Sequence, residues 1–168
     1  MASQFSLPYQ LPPIDLIPPQ ANGSSITSPV YASLRNALKA WLVVKVAQGA
    51  ANTVAITPVQ ATSDTGAGSK PIGGADVTVP IWLNDDTSLA TGSDLFVAQA
   101  PALNFTTDAT LKNKIVVFEL SPEAGFDLVN GFNHVGLQIG ASSASNVVTA
   151  TLHIYGSFQG AQPPSSYV

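Results

Sequence analysis

The sequence predicts an all-β fold: a single antiparallel β-sandwich of jelly-roll type, carrying an extended, Pro-rich N-terminal arm. Three observations predict it. Apolar and polar residues alternate at period two from Trp41 to Tyr155, and no window in that stretch shows helical periodicity. The alternating runs are short, about eight in number, and each is bounded by Gly, Pro, Asn, Asp or Ser. Six of the 13 prolines fall before residue 30, where they remove backbone donors and forbid a helix or a central strand. An immunoglobulin-like sandwich is the alternative arrangement of the same strands.

In chain order, residues 1–30 form the arm, 31–158 the sandwich and 159–168 a C-terminal tail. The arm carries Phe5, Leu7, Tyr9, Leu11, Ile14, Leu16 and Ile17, with Asp15 as its one charge. Fully extended it reaches ~90 Å. Apolar side chains of this size need cover, so the arm either wraps its own domain or lies on a neighbouring subunit. Ser28-Pro29 resembles a helix N-cap followed by Pro at N1, and Leu34 and Leu38 are spaced i, i+4, so a short helical turn is expected over Tyr31 to Lys39.

The strands follow. Leu42, Val44 and Val46 alternate with Trp41, Val43 and Lys45, and Val54 and Ile56 follow until Pro58 interrupts. Val77, Val79, Ile81 and Leu83 alternate with Asp76, Thr78, Pro80 and Trp82. Short runs stand at Leu95–Val97 and Leu103–Phe105, and a nearly continuous apolar run covers 115–120. Val135, Leu137 and Ile139, then Val148, Ala150, Leu152 and Ile154, complete the set. Pro58 and Pro80 belong at edges or bulges.

Composition excludes several functions. Only 16 of 168 residues are charged (6 basic, 10 acidic) and the net charge is −4, which gives no general attraction to nucleic acid. With no cysteine there is no disulfide framework, zinc-cysteine site or thiol nucleophile. The N-terminus lacks the basic and apolar regions of a signal peptide, and no run approaches the ~20 apolar residues of a membrane span. The expectation is a soluble protein made in a cytoplasm, with no membrane or nucleic-acid partner.

Asp64 to Pro71 is Gly-rich but fails the phosphate-loop spacing, and Pro71 stands where Ser or Thr is needed, so a turn is expected. Asn84, Asp85 and Asp86 offer oxygen ligands after a strand, but that run is also ordinary turn chemistry. With the exposed Trp82 they form a possible surface-binding patch. His134 and His153 both fall on polar strand faces and approach each other only if their strands are neighbours; no third ligand is evident, so no metal is expected. No Gly-x-Ser-x-Gly elbow occurs, and Glu119 and Glu123 read as a strand residue and a loop charge. The reading is a non-enzymatic protein with no cofactor.

Five phrases, in order, resemble a family of small virion-associated structural proteins of tailed bacteriophages and prophages. They are Ala32 to Trp41, Gln60 to Ile72, Lys112 to Leu120, Gly131 to Val135 and Gly156 to Ser165. The likeness spans most of residues 33–165 and leaves the arm outside. Asn133, Ser157 and Phe158 depart from the family pattern, which has Asp, Arg and Tyr there. The resemblance implies a capsid decoration, or cement, role on the virion surface, with the major capsid protein and further copies of the chain as partners. The seven apolar arm residues named above are then the expected anchors. A carbohydrate- or receptor-binding module of a head or tail appendage, using Trp82, Asn84, Asp85 and Asp86, is the alternative.

Overall fold

A computed structural model describes Leu7 and residues 11–73, 78–87 and 95–156. It is an all-β sandwich of two antiparallel sheets. Twelve strands are described: β1 (Pro13–Ala21), β2 (Ile26–Thr27), β3 (Ala32–Ser33), β4 (Ala37–Gln48), β5 (Ala55–Ala61), β6 (Lys70–Pro71), β7 (Val79–Asn84), β8 (Val97–Ala102), β9 (Phe105–Thr106), β10 (Asn113–Leu120), β11 (His134–Ile139) and β12 (Asn146–Gly156). A helical turn, α1 (Pro122–Gly125), follows β10. The larger sheet runs β1-β12-β4-β10-β7-β8 and the smaller β2-β11-β5-β6, with β3 also on β11 and β9 also on β5.

Alternation decides which side chains meet between the sheets. In β4, Ala40, Leu42, Val44 and Val46 point inward, and β12 answers with Val148, Ala150, Leu152 and Ile154. From β10 come Val116, Phe118 and Leu120, and from β11 Val135, Leu137 and Ile139. All belong to one continuous core. The 115–120 run is therefore an alternating strand whose outer residues, Ile115, Val117 and Glu119, are half-buried.

Three expectations need correction. The first is the boundary at residue 30, because the sandwich already begins at Pro13. β1 pairs with β12, and β2 and β3 pair with β11. An edge strand tolerates proline because one row of its backbone groups needs no partner. Bulges between Asp15 and Ile17 and between Ile17 and Gln20 absorb the remaining misfit.

The second is the helical turn over Tyr31 to Lys39. Ala32 and Ser33 pair with β11, Leu34 N–H donates to Asn133 O (2.7 Å), and β4 starts at Ala37. Leu34 is buried and Leu38 exposed, so the two leucines share no face. Sheet pairing outweighs the weak local cap.

The third is Pro58, which does not stop its strand. β5 runs through it, with Leu137 opposite. On its other side β5 meets β6 at Val59 and Gln60 and β9 at Ala55 and Ile56. Pro58 O accepts from Ile72 N–H on that side, so its missing N–H falls in the gap between β6 and β9. Pro80 sits at the β7–β8 irregularity between Val79 and Ile81, as expected.

Candidate functional site

The arm residues divide. Leu16 and Ile17 are fully buried in the sandwich core, and Ile14 packs against it. These three are not available as anchors for a partner: the bulge at Leu16 turns two consecutive side chains inward. Leu11 is half-buried and Leu7 exposed, with Leu11 N–H donating to Leu7 O (2.9 Å). Phe5, Tyr9 and the expected tail 159–168 lie outside the described residues.

The outer face of the larger sheet can be read row by row from its registers. One row is Ala98, Trp82, Val117, Val43, Thr151, Asp15, and the next is Glu119, Trp41, His153, Pro13. Trp41 is half-buried and engaged: its Nε1 donates to Glu119 Oε1 (3.1 Å), and Lys39 pairs with Glu119 (3.5 Å) 5.8 Å above the indole. His153 Nδ1 lies 3.1 Å from Leu11 O, which can only accept, so this nitrogen carries the proton. That bond ties the start of the described chain to β12.

Trp82 stays exposed, at 38%. Its expected companions do not gather round it. Asn84 and Asp86 are buried in the turn that ends β7: Asp86 N–H donates to Asn84 Oδ1 (3.1 Å), and Lys112 pairs with Asp86 (3.4 Å). Only Asp85 remains exposed beside them. Asn84 Oδ1 is thus engaged by the backbone of its own turn, and the Asp86 carboxylate by Lys112.

The Gly-rich segment is an ordered hairpin loop between β5 and β6. Ser63 Oγ accepts from Ala67 N–H (3.2 Å), and Gly66 and Gly68 adopt left-handed φ of 78° and 62°. The loop closes over the ring of Tyr31, which is buried with Val59 and Ala61 on the outer face of the smaller sheet. A Cβ on Gly66 would stand 2.5 Å from one edge of that ring, and a Cβ on Gly136 2.5 Å from the other. The ring has no free side to move toward. Gly136→Ala is therefore expected to cost ~2 kcal/mol of unfolding free energy through overpacking. Denaturant titration checks it, and pairing it with Tyr31→Ala should recover part of the loss.

The two histidines sit in different sheets, so they form no pair. His134 is buried on β11, and its Nδ1 has no hydrogen-bond partner among the described residues. Burial first, then the positive charge of Arg35, holds its pKa below the ordinary 6.5, with Asp64 opposing. The folded state thus binds this proton less readily than the unfolded chain. Stability is full above about pH 6.5 and falls as the pH drops toward the folded-state value. His134→Gln should flatten the thermal-melting midpoint between pH 7 and 5.5. Asp108, held low by Thr110 and Lys114, and Asp127, held low by Lys70 and Asn130, act only below their ordinary 3.8.

One end of the sandwich is closed by buried polar groups that no motif announces. Lys114, on the core side of β10, is 1% exposed. Its Nζ donates to Gln48 Oε1 and Thr110 O (2.7 Å) and pairs with Asp108 Oδ1 (3.4 Å). Gln48 Nε2 donates to Asn52 O (2.8 Å) and Asp108 O (2.9 Å), and Asn146 Oδ1 accepts from Ala50 N–H (2.9 Å). With three donors committed, Lys114 reads as a structural plug.

An open cleft of about 430 Å³ lies between the edges of β1 and β2, lined by Pro18, Gln20, Ser24, Ser25, Thr27 and Pro29, among others. None of its lining residues titrates near neutral pH. Among the described residues no three His, Asp or Glu side chains gather as metal ligands. The surface that stands out is β8. Leu95 is 78%, Phe96 45% and Val97 60% exposed where β8 begins, and the next residue, Ala98, lies opposite Trp82. In the sequence this stretch is marked only by a short apolar run and by the lack of any charge over residues 95–107. Comparison with known proteins matches the chain to no family model, no curated protein and no solved structure.

Proposed function

We propose that this chain is a capsid decoration, or cement, protein of a tailed-bacteriophage head. In this reading it is made in the host cytoplasm, binds the outer head shell and bridges neighbouring major-capsid subunits, with further copies of itself alongside. The observation that carries the reading is a concentration of uncovered apolar side chains, Leu95, Phe96 and Val97, on one margin of a rigid sandwich. The phrase-level likeness to virion structural proteins supplies the setting. The strand order supports it too: β1-β12-β4-β10 in one sheet and β2-β11-β5-β6 in the other suit the jelly-roll reading, an architecture found in capsid and lectin domains. Low charge suits close-packed copies, since repulsion between neighbours stays small. The role is structural rather than catalytic. Many weak contacts on one lattice reinforce each other through effective concentration.

Quantitative mass spectrometry of purified particles tests this. A copy number comparable with that of the most abundant capsid protein is the expected result, and absence from particles overturns the reading. A chain lacking residues 2–10 keeps every described strand, so any loss of shell binding then measures the share of Phe5, Leu7 and Tyr9. The second reading, a glycan- or receptor-binding module, draws on the exposed Trp82. Glycan-array binding abolished by Trp82→Ala would favour it.

A further inference from the structure

The larger sheet ends in a strand that is uncovered in three ways. β8 pairs with β7 alone, so among the described residues its other edge has no ladder partner. Val97 lies opposite Leu83, a residue packed against the core, and so faces the inner side; yet it is 60% exposed, which means the second sheet does not reach this end of β8. On the outer side Ala98 is exposed next to Trp82. The edge also shows its need for donors: the Gln99 side-chain amide folds back on Val97 O (3.2 Å). Edge strands are usually protected by lysine, inward charge or proline. Here residues 95–107 are uncharged, and Pro101 stands only at the far end of β8.

We propose that β8 is a contact between two copies of this chain, joined edge to edge in antiparallel fashion about a two-fold axis at Ala98. A backbone ladder with no partner among the described residues calls for an extended strand rather than a small ligand. A second copy meets the same requirement because the edge is its own complement: it has no charge to repel its mate. The regular part of β8, Val97 to Gln99, is in continuous register with β7, whereas the bulge begins beyond it. Centring the axis on Ala98 sets Val97 against the partner's Gln99 and Ala98 against the partner's Ala98. Pro101, which lacks N–H, then lies opposite the partner's Leu95, beyond the strand. Two alanines at the axis leave room for Trp82 and the partner's Trp82 to close over the seam on the outer face. A two-fold contact is closed, so it yields a dimer rather than a fibre. None of this depends on whether the protein binds a capsid.

Sedimentation equilibrium of the full chain tests the contact. The unaltered protein should be a dimer at micromolar concentration. Ala98→Lys places like charges directly across the axis and should weaken the dimer about 100-fold or more, as should Ala98→Glu. Mixing the two variants should restore a dimer, because opposite charges then meet at the axis. Circular-dichroism melting confirms that each variant is folded. A monomeric unaltered protein, a larger ring, or a dimer indifferent to both substitutions would overturn the proposal.

Discussion

Leu16→Ala is expected to remove ~3 kcal/mol of unfolding free energy, and Ile17→Ala a similar amount, measured by urea titration. Both side chains are fully buried in the common core, and Ile17 lies opposite Ala150 of β12. Each truncation removes apolar contact and leaves a cavity that the flanking strands fill only in part. Adjacent residues share neighbours, so the double variant should fall short of the sum. Leu7→Ala, at an exposed position, should shift stability by no more than ~0.5 kcal/mol. This contrast separates the two halves of the N-terminal segment. If Leu16→Ala were as mild as Leu7→Ala, β1 would not be part of the cooperative fold. The same contrast bears on function: loss of shell binding after a change at Leu16 would report unfolding, whereas loss after a change at Leu7 would report contact.

Much of the sandwich was legible because period two is a strong signal when one face is buried. β4 and β12 follow their alternation residue by residue, whereas β11 is also covered on its outer side at His134 and Gly136. The N-terminal third misled for a definable reason. Proline content speaks against central strands, but it does not distinguish a free arm from an edge strand. Ile14, Leu16 and Ile17 break strict alternation because a bulge intervenes, and a bulge leaves no local mark in these residues. Pro58 misled in the same way: whether its missing N–H matters depends on β6 and β9 each covering only part of β5, a property of the whole sheet.

The candidate sites were less legible than the fold. Trp82 was placed correctly on the outer face by parity, but parity cannot show that Asn84 and Asp86 spend their oxygens on a turn and a lysine. His134 and His153 share a face type without sharing a sheet. Tyr31, seated between Gly66 and Gly136, joins three segments far apart in sequence. The exposure of Val97 depends on what stands opposite the last strand of its sheet, which no local pattern encodes.

Lys114 yields the other large expected effect. It lies on the core side of β10, where alternation alone calls for an apolar residue. Lys114→Ala should cost ~4 kcal/mol: it removes the packed aliphatic stem and leaves Gln48 Oε1 and Thr110 O without their donor. Lys114→Met keeps most of the stem and loses only the donors, so ~2 kcal/mol is expected. Combining Lys114→Met with Gln48→Leu removes the stranded acceptor as well and should recover part of that loss, since an apolar replacement of a buried polar pair is often neutral. The recovery should remain incomplete, because Gln48 Nε2 also donates to Asn52 O and Asp108 O. Urea titration of the four proteins measures these differences. Equal losses for the alanine and methionine variants would mean that the stem contributes nothing and the charge everything. A methionine variant as stable as the unaltered protein would mean that the polar plug serves some purpose other than holding the sheets together.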